Sequence, residues 1–199
     1  MLFNINDIGV NSNNQEAESF DSAFTSKFLN MHTANVENLK RDMERLPEDG
    51  EAFFLQSMKQ FNAITFLLRI AEDYFIEELY ATTYSVSMRV IEALQELHNK
   101  GQIGRINLLI SDSMRNRNMK VCDAIDSWAN SNSLISVIYT WNHSKFTLCK
   151  TENSYYNIEG SGNWGDNACY EQYCFVNSRQ VYEKRKELFS TCKVVFRIN

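Results

Sequence analysis

From residue 61 onward, short apolar runs alternate with stretches whose apolar residues recur at helical spacing, and this alternation leaves few architectures open. Residues 61–73 read as a helix, and residues 75–84, rich in aromatic and β-branched side chains, read as a strand. Val86, Val90, Leu94 and Leu97 then mark one face of a further helix. Gly101 is placed to end it, because glycine readily enters the left-handed conformation that closes many helices. Residues 106–110 have the length of a buried strand. Asp112 and Ser113 follow as caps for a helix carrying Val121, Ile125 and Trp128, and residues 134–140 form the next strand. Phe146 and Leu148 alternate with Thr147 and Cys149, the period of two of a strand whose faces differ. Strands at 155–158, 170–176 and 193–198, with an amphipathic helix at 179–191, complete the pattern. Strand–helix–strand order with crossovers of about 15–20 residues predicts an α/β fold: a mixed, mostly parallel central sheet with helices on both faces.

With 199 residues, the chain is long enough for one good core and short for two. Residues 1–50, with their Asn-rich stretch, are expected to be a polar and helical extension, and residues 51–199 the folded domain. The net charge of −5 excludes a generally basic, polyanion-coating protein, but the charge is uneven. Seven basic and sixteen acidic residues precede position 100, whereas seven basic and three acidic residues lie between 100 and 150. The apolar runs are far shorter than the roughly 20 residues of a membrane-spanning helix, and the first residues have no basic and apolar leader pattern. The expectation is a soluble, cytoplasmic protein with no membrane partner. Five cysteines without a C-x-x-C pair, and three histidines away from zinc-ligand spacing, read as reduced core thiols and no metal centre.

One stretch carries chemistry. His143, Ser144 and Lys145 are followed, fifteen residues after Lys145, by Gly160, Ser161, Gly162 and Asn163. If residues 143–149 form a strand, His143 and Lys145 project from one face, and an antiparallel return brings the 160–163 turn close to them. Imidazole, ammonium, hydroxyl and amide would then converge. That set supplies one nucleophile and several donors for the oxygens of a phosphate. Trp141 and Trp164 flank the pattern and could stack on bases or pack in the core. Arg179, Lys184, Arg185 and Lys186 read as a solvated helix face, with contact to a polyanion as the other reading.

The segment resembles the phospholipase D-like phosphodiesterases, whose signature pairs H-x-K-x4-D with a later G-S-x-N. His143 and Lys145 match the first part and Gly160, Ser161 and Asn163 the second, while Glu171 looks like the acidic residue that follows in the family. Lys150 stands where the family has its aspartate. The order of elements extends the resemblance over residues 50–199. It implies attack on phosphorus by His143, with a phosphohistidine intermediate, and neutralisation of the phosphate oxygens by Lys145 and Asn163 with Ser161 nearby. It also implies a second histidine for the leaving group, and no metal or other cofactor. His32 and His98 have no lysine two residues on, so the chain holds one motif copy and the second histidine must come from a homodimer. The expected substrate is a phosphodiester, nucleic acid before lipid. The alternative is a weak or inactive module that binds phosphate or nucleic acid.

Overall fold

The computed structural model describes residues 39, 41, 43–57, 63–165 and 170–199, and all structural statements concern these. Eight strands, β1 (Ala52–Ser57), β2 (Ile76–Thr83), β3 (Ile103–Ser111), β4 (Ile135–Thr140), β5 (Phe146–Lys150), β6 (Tyr155–Gly160), β7 (Glu171–Asn177) and β8 (Val194–Ile198), form one sheet. The helices are α1 (Ala63–Asp73), α2 (Met88–Asn99), α3 (Ser113–Arg117), α4 (Met119–Ser131), α5 (Arg179–Lys186) and α6 (Leu188–Thr191).

The strand order is β1-β7-β6-β5-β2-β3-β4-β8. Only β2–β3 and β3–β4 are parallel; the other five neighbours are antiparallel. The expected mostly parallel sheet is therefore corrected to a mostly antiparallel one. Connection length gives the reason. Helical crossovers join β2 to β3 and β3 to β4, whereas only residues 141–145 join β4 to β5 and only 151–154 join β5 to β6. A parallel return needs a dozen residues or more, so short connections reverse the chain.

The alternation within the strands builds two cores. Ile106, Leu108 and Ile110 of β3 join Val137 and Tyr139 of β4 under α1, α2 and α4 in the larger one. Leu109 and Ile138, from the opposite face, join Phe146, Leu148, Tyr182 and Phe189 beneath α5 and α6. Helices thus cover both faces, as expected. Leu39, Met43 and Leu46, the described end of the 1–50 segment, are buried in the larger core, and Asn177 Nδ2 donates to the Pro47 carbonyl at 3.1 Å. Residues 52–57 are an edge strand that pairs with β7.

Gly101 ends α2 with a φ of 70°; its N–H donates to the His98 carbonyl and that of Gln102 to Leu97. The helix expected after Asp112 is two helices. Asn118, at φ −147° and ψ 66°, interrupts it between α3 and α4, and Asp112 makes no side-chain cap. The final helix is capped by Ser178, whose hydroxyl accepts from the Val181 N–H, and is divided at Glu187. His98 is structural: Nδ1 lies 2.9 Å from the Ile103 carbonyl and Nε2 2.9 Å from Asn132 Nδ2. His32 and Cys169 lie outside the described residues; the other four cysteines are free thiols.

Candidate active site

At the C-terminal ends of the parallel strands, residues 141–145 leave the sheet before β5 begins. The expected strand over 143–149 therefore starts three residues late, at Phe146, and His143 and Lys145 meet through an irregular loop instead of through strand alternation. Asn142, buried at the head of this loop, fixes its shape. Its Nδ2 donates to the Thr83 carbonyl at 3.1 Å and to the Ser144 carbonyl at 3.2 Å, and its Oδ1 accepts from the Ser144 N–H at 3.1 Å and the Ser144 hydroxyl at 2.5 Å. Thr82 Oγ1 accepts the Phe146 N–H at 3.0 Å. Asparagine folds the backbone locally in this way because its short amide reaches its own neighbouring main chain.

The loop presents His143 and Lys145 together. Lys145 Nζ lies 3.3 Å from His143 Nδ1 and donates to the His143 carbonyl at 3.0 Å. The His143 ring packs on Tyr84 with centroids 4.8 Å apart, and the Arg117 guanidinium lies 4.2 Å from the centroid of the same tyrosine. Arg117 also donates to the Tyr84 carbonyl at 3.2 Å. Tyr84 and Arg117 escape a motif-based reading because they are far away in sequence. The available signal was position, since Tyr84 directly follows the C-terminal end of a parallel strand, where open α/β sheets place their ligands.

A cavity of about 440 Å³ opens beside this pair. His143 and Lys145 of the loop and Gly160 at the end of β6 border it, with Lys184 and Arg185 of α5 and Glu159 of β6 around it. Its size falls within the range of small-ligand sites. Lysine, arginine and imidazole around a partly enclosed space can neutralise an anion, and an imidazole at its edge can act as nucleophile or proton carrier.

The Gly160 to Asn163 turn packs closely. Gly160 N–H donates to the Lys145 carbonyl at 3.2 Å, so the turn lies directly beside the His143 loop. A Cβ at Gly160 would come within 2.5 Å of the Gln172 carbonyl oxygen and closer still to the Tyr173 ring, which reserves the position for glycine. The Ser161 hydroxyl donates to the Glu171 carboxylate and accepts the Gln172 N–H at 3.1 Å. Ser161 and Glu171 thus bind one another across the β6–β7 connection and do not line the cavity. Asn163 is half-buried, and its carbonyl accepts the Gly165 N–H at 2.9 Å. Trp164 beside it is buried. Its N–H donates to Thr83 Oγ1 and its ring N–H to Thr147 Oγ1, both at 3.2 Å, which ties this turn to the end of β2. Trp141 is exposed, with the Lys193 ammonium 5.2 Å from its ring.

Lys150, in the position of the family aspartate, lies at the far end of β5 from this loop. Its Nζ donates to Glu77 Oε2 at 2.5 Å, and that hydrogen bond holds the ammonium above its ordinary pKa. Cys149 beside it is fully enclosed, and burial pushes its thiol up, so it stays neutral. Among the described residues, no three His, Cys, Asp or Glu side chains are grouped to hold a metal ion. No described helix is long and apolar enough to cross a membrane.

No family model and no curated protein matches the sequence. Solved structures do. The fold is similar to phosphatidylserine synthase from Haemophilus influenzae, with a TM-score of 0.53 and 11% identity over 72% of this chain and 40% of that one. It is similar to NucT from Helicobacter pylori, with a TM-score of 0.50 and 17% identity over 70% and 96% of the two chains. Nuc from Salmonella typhimurium, a phospholipase D family member, matches with a TM-score of 0.49 and 14% identity over 72% and 97%. At such identities the likeness is one of fold. The chain shares the α/β fold of phosphatidylserine synthase and NucT.

Proposed function

We propose that the protein is a metal-independent phosphodiesterase, nuclease-like in its substrate, and that it works through a phosphohistidine at His143. The observation that carries this reading is the contact of His143 and Lys145 at the edge of a cavity bordered by further cations. The phospholipase D-like fold around them supports it.

The geometry suggests how the first step is prepared. While the Lys145 ammonium donates to Nδ1, a neutral His143 carries its proton on Nε2 and has no lone pair there. A bound phosphate attracts the ammonium away from the ring. The proton can then reside on Nδ1, and Nε2 attacks phosphorus. The bond from phosphorus to the leaving oxygen breaks as the nitrogen–phosphorus bond forms, and the leaving oxygen takes a proton from the partner subunit's His143. Water deprotonated by that imidazole then attacks the phosphohistidine, which releases the product phosphate and restores both rings. Lys145 neutralises charge on the non-bridging oxygens throughout, with Asn163 assigned to the same oxygens from the adjoining turn and Ser161 nearby. Glu171 is assigned to orient that turn through Ser161.

A homodimer follows from this chemistry, because one chain has one motif and the reaction uses two imidazoles. A second reading, a phosphate-binding module with little or no turnover, draws support from the Ser161–Glu171 hydrogen bond, which engages both side chains away from the cavity. Hydrolysis of a generic phosphodiester in excess chelator, on protein of measured solution mass, decides between them. The expected result is cleavage by a dimer that His143→Ala reduces by about 1000-fold or more without loss of folding. A folded wild type that binds oligonucleotide and cleaves nothing would leave the module.

A further inference from the structure

The cavity beside His143 has a basic wall that the motif does not contain. Tyr182 and Lys186 fasten α5 to the sheet by donating to Glu78 Oε2, at 3.3 and 2.9 Å. That anchoring turns Lys184 and Arg185, on the last turn of the same helix, to the cavity that His143 and Lys145 border. Arg185 is already engaged in a bidentate pair. Its Nε and Nη2 donate to the two carboxylate oxygens of Glu159 at 2.6 and 2.8 Å. The guanidinium fork that fits a carboxylate in this way fits a phosphate equally well. The two side chains are 49% and 32% exposed, so the pair is one for which water and salt already compete. Lys184 pairs with Glu187 at 2.7 Å and is more exposed still.

We propose that Lys184 and Arg185 form a second anion subsite of this cavity, which takes the phosphate next to the scissile one on a nucleic-acid strand, and that Glu159 occupies Arg185 until that phosphate displaces it. The inference rests on reading His143 and Lys145 as a phosphodiester site and adds a substrate class to it: a strand with phosphates in a row, favoured over an isolated diester. Exchange of a partly exposed carboxylate for a phosphate keeps the bidentate hydrogen bonds of Arg185, and the Glu159 side chain can turn outward to water. A molecule with a single phosphodiester gains nothing from this wall.

Equilibrium binding of dye-labelled oligothymidylates, a dimer with one phosphodiester and a pentamer with four, over a salt series tests the subsite without requiring turnover. Wild type should bind the pentamer roughly 10-fold or more tightly than the dimer. The Lys184→Ala, Arg185→Ala double variant should lose most of that preference and keep only the statistical advantage of a strand with more phosphodiesters. Its log–log salt slope for the pentamer should be shallower by about 0.7, since each phosphate neutralised on a single strand adds about 0.7 and the subsite takes one. Glu159→Gln should move the other way and tighten the pentamer about threefold, a gain that damage to the fold does not produce. An unchanged length preference in the double variant, or a Glu159→Gln protein that binds no tighter, overturns the proposal. Hydrolysis by wild type is scored separately. A length preference that depends on Lys184 and Arg185 in a protein that cleaves nothing upholds the subsite and removes the enzyme. Cleavage by a protein with no length preference does the reverse.

Discussion

The two faces of the sheet are built from the same strands for different tasks. Under α1, α2 and α4, long apolar side chains interlock: Phe66 meets Phe175 edge-on at 5.3 Å and Tyr173 at 5.1 Å, with Ile64, Leu67 and Leu94 fully enclosed in the same core. Under α5 and α6 the buried set is small, and one of its members, Tyr182, shares the Glu78 carboxylate with Lys186. That second face also holds the cavity. The stability of the fold comes mainly from the first face, which leaves the second free to carry charges and an opening. The difference teaches that a cavity wall can be set on a lightly packed layer when the opposite layer holds the strands in place.

Damage to the first face should therefore be the most severe. Phe66→Ala is expected to cost about 3–5 kcal/mol, measured by chemical denaturation, because a large ring with two aromatic partners leaves a cavity. Next in size comes the loop between the faces. Asn142→Ala should lower hydrolysis about 10-fold, or about 1.4 kcal/mol in the barrier, with a much smaller loss of thermal stability, since the amide holds His143 and Lys145 in register. A protein with unchanged kcat/KM would show that the loop keeps its shape without it.

The smallest effect belongs to the second face. Lys186→Met should cost about 1 kcal/mol by leaving Glu78 with Tyr182 as its remaining donor. Partial burial pushes the Glu78 carboxyl up, but the hydrogen bond and charge of Lys186 outweigh it, and the folded-state pKa lies below its ordinary 4.5. A carboxylate depressed in the folded state contributes its full stability above the unfolded pKa and loses it as the pH falls through the folded one. Wild type should thus lose stability on acidification below about pH 4.5, and Lys186→Met should lose less over that range. Equal slopes in urea titrations at pH 3 to 6 would assign the acid sensitivity elsewhere.

Much of this fold was legible in the sequence. The strand run at 106–110 lies inside β3, that at 134–140 begins one residue before β4, and Gly101 ends its helix, because burial of both strand faces and a positive φ leave direct marks on residue choice. Strand direction left no such mark. Alternation of side chains is the same in parallel and antiparallel pairs, and the deciding fact was the shortness of the 141–145 and 151–154 connections. The helix break at Asn118 was missed because the apolar spacing continues on both sides of it. In the site, His143, Lys145 and Gly160 could be placed together from local spacing. The support around them could not. Asn142 bonds to Thr83, fifty-nine residues earlier, and Arg117 reaches Tyr84 across thirty-three. Pairings over such separations arise from the order of strands, which no local pattern encodes.

The seam between β5 and β2 bears on how the molecule assembles. On one side, β5, β6 and β7 form a meander of near neighbours; on the other, β2, β3 and β4 are joined through helices. The His143 loop is fastened across this seam, through Thr82 and Thr83, to residues some sixty positions away. Closing so long a loop costs entropy before any interaction compensates for it, which places seam docking late in folding. A chain with both halves formed but not yet docked has every residue of the motif and no site. Hydrolysis, followed during refolding, should then appear only after the seam has docked and two chains have met, while circular dichroism would time the earlier steps.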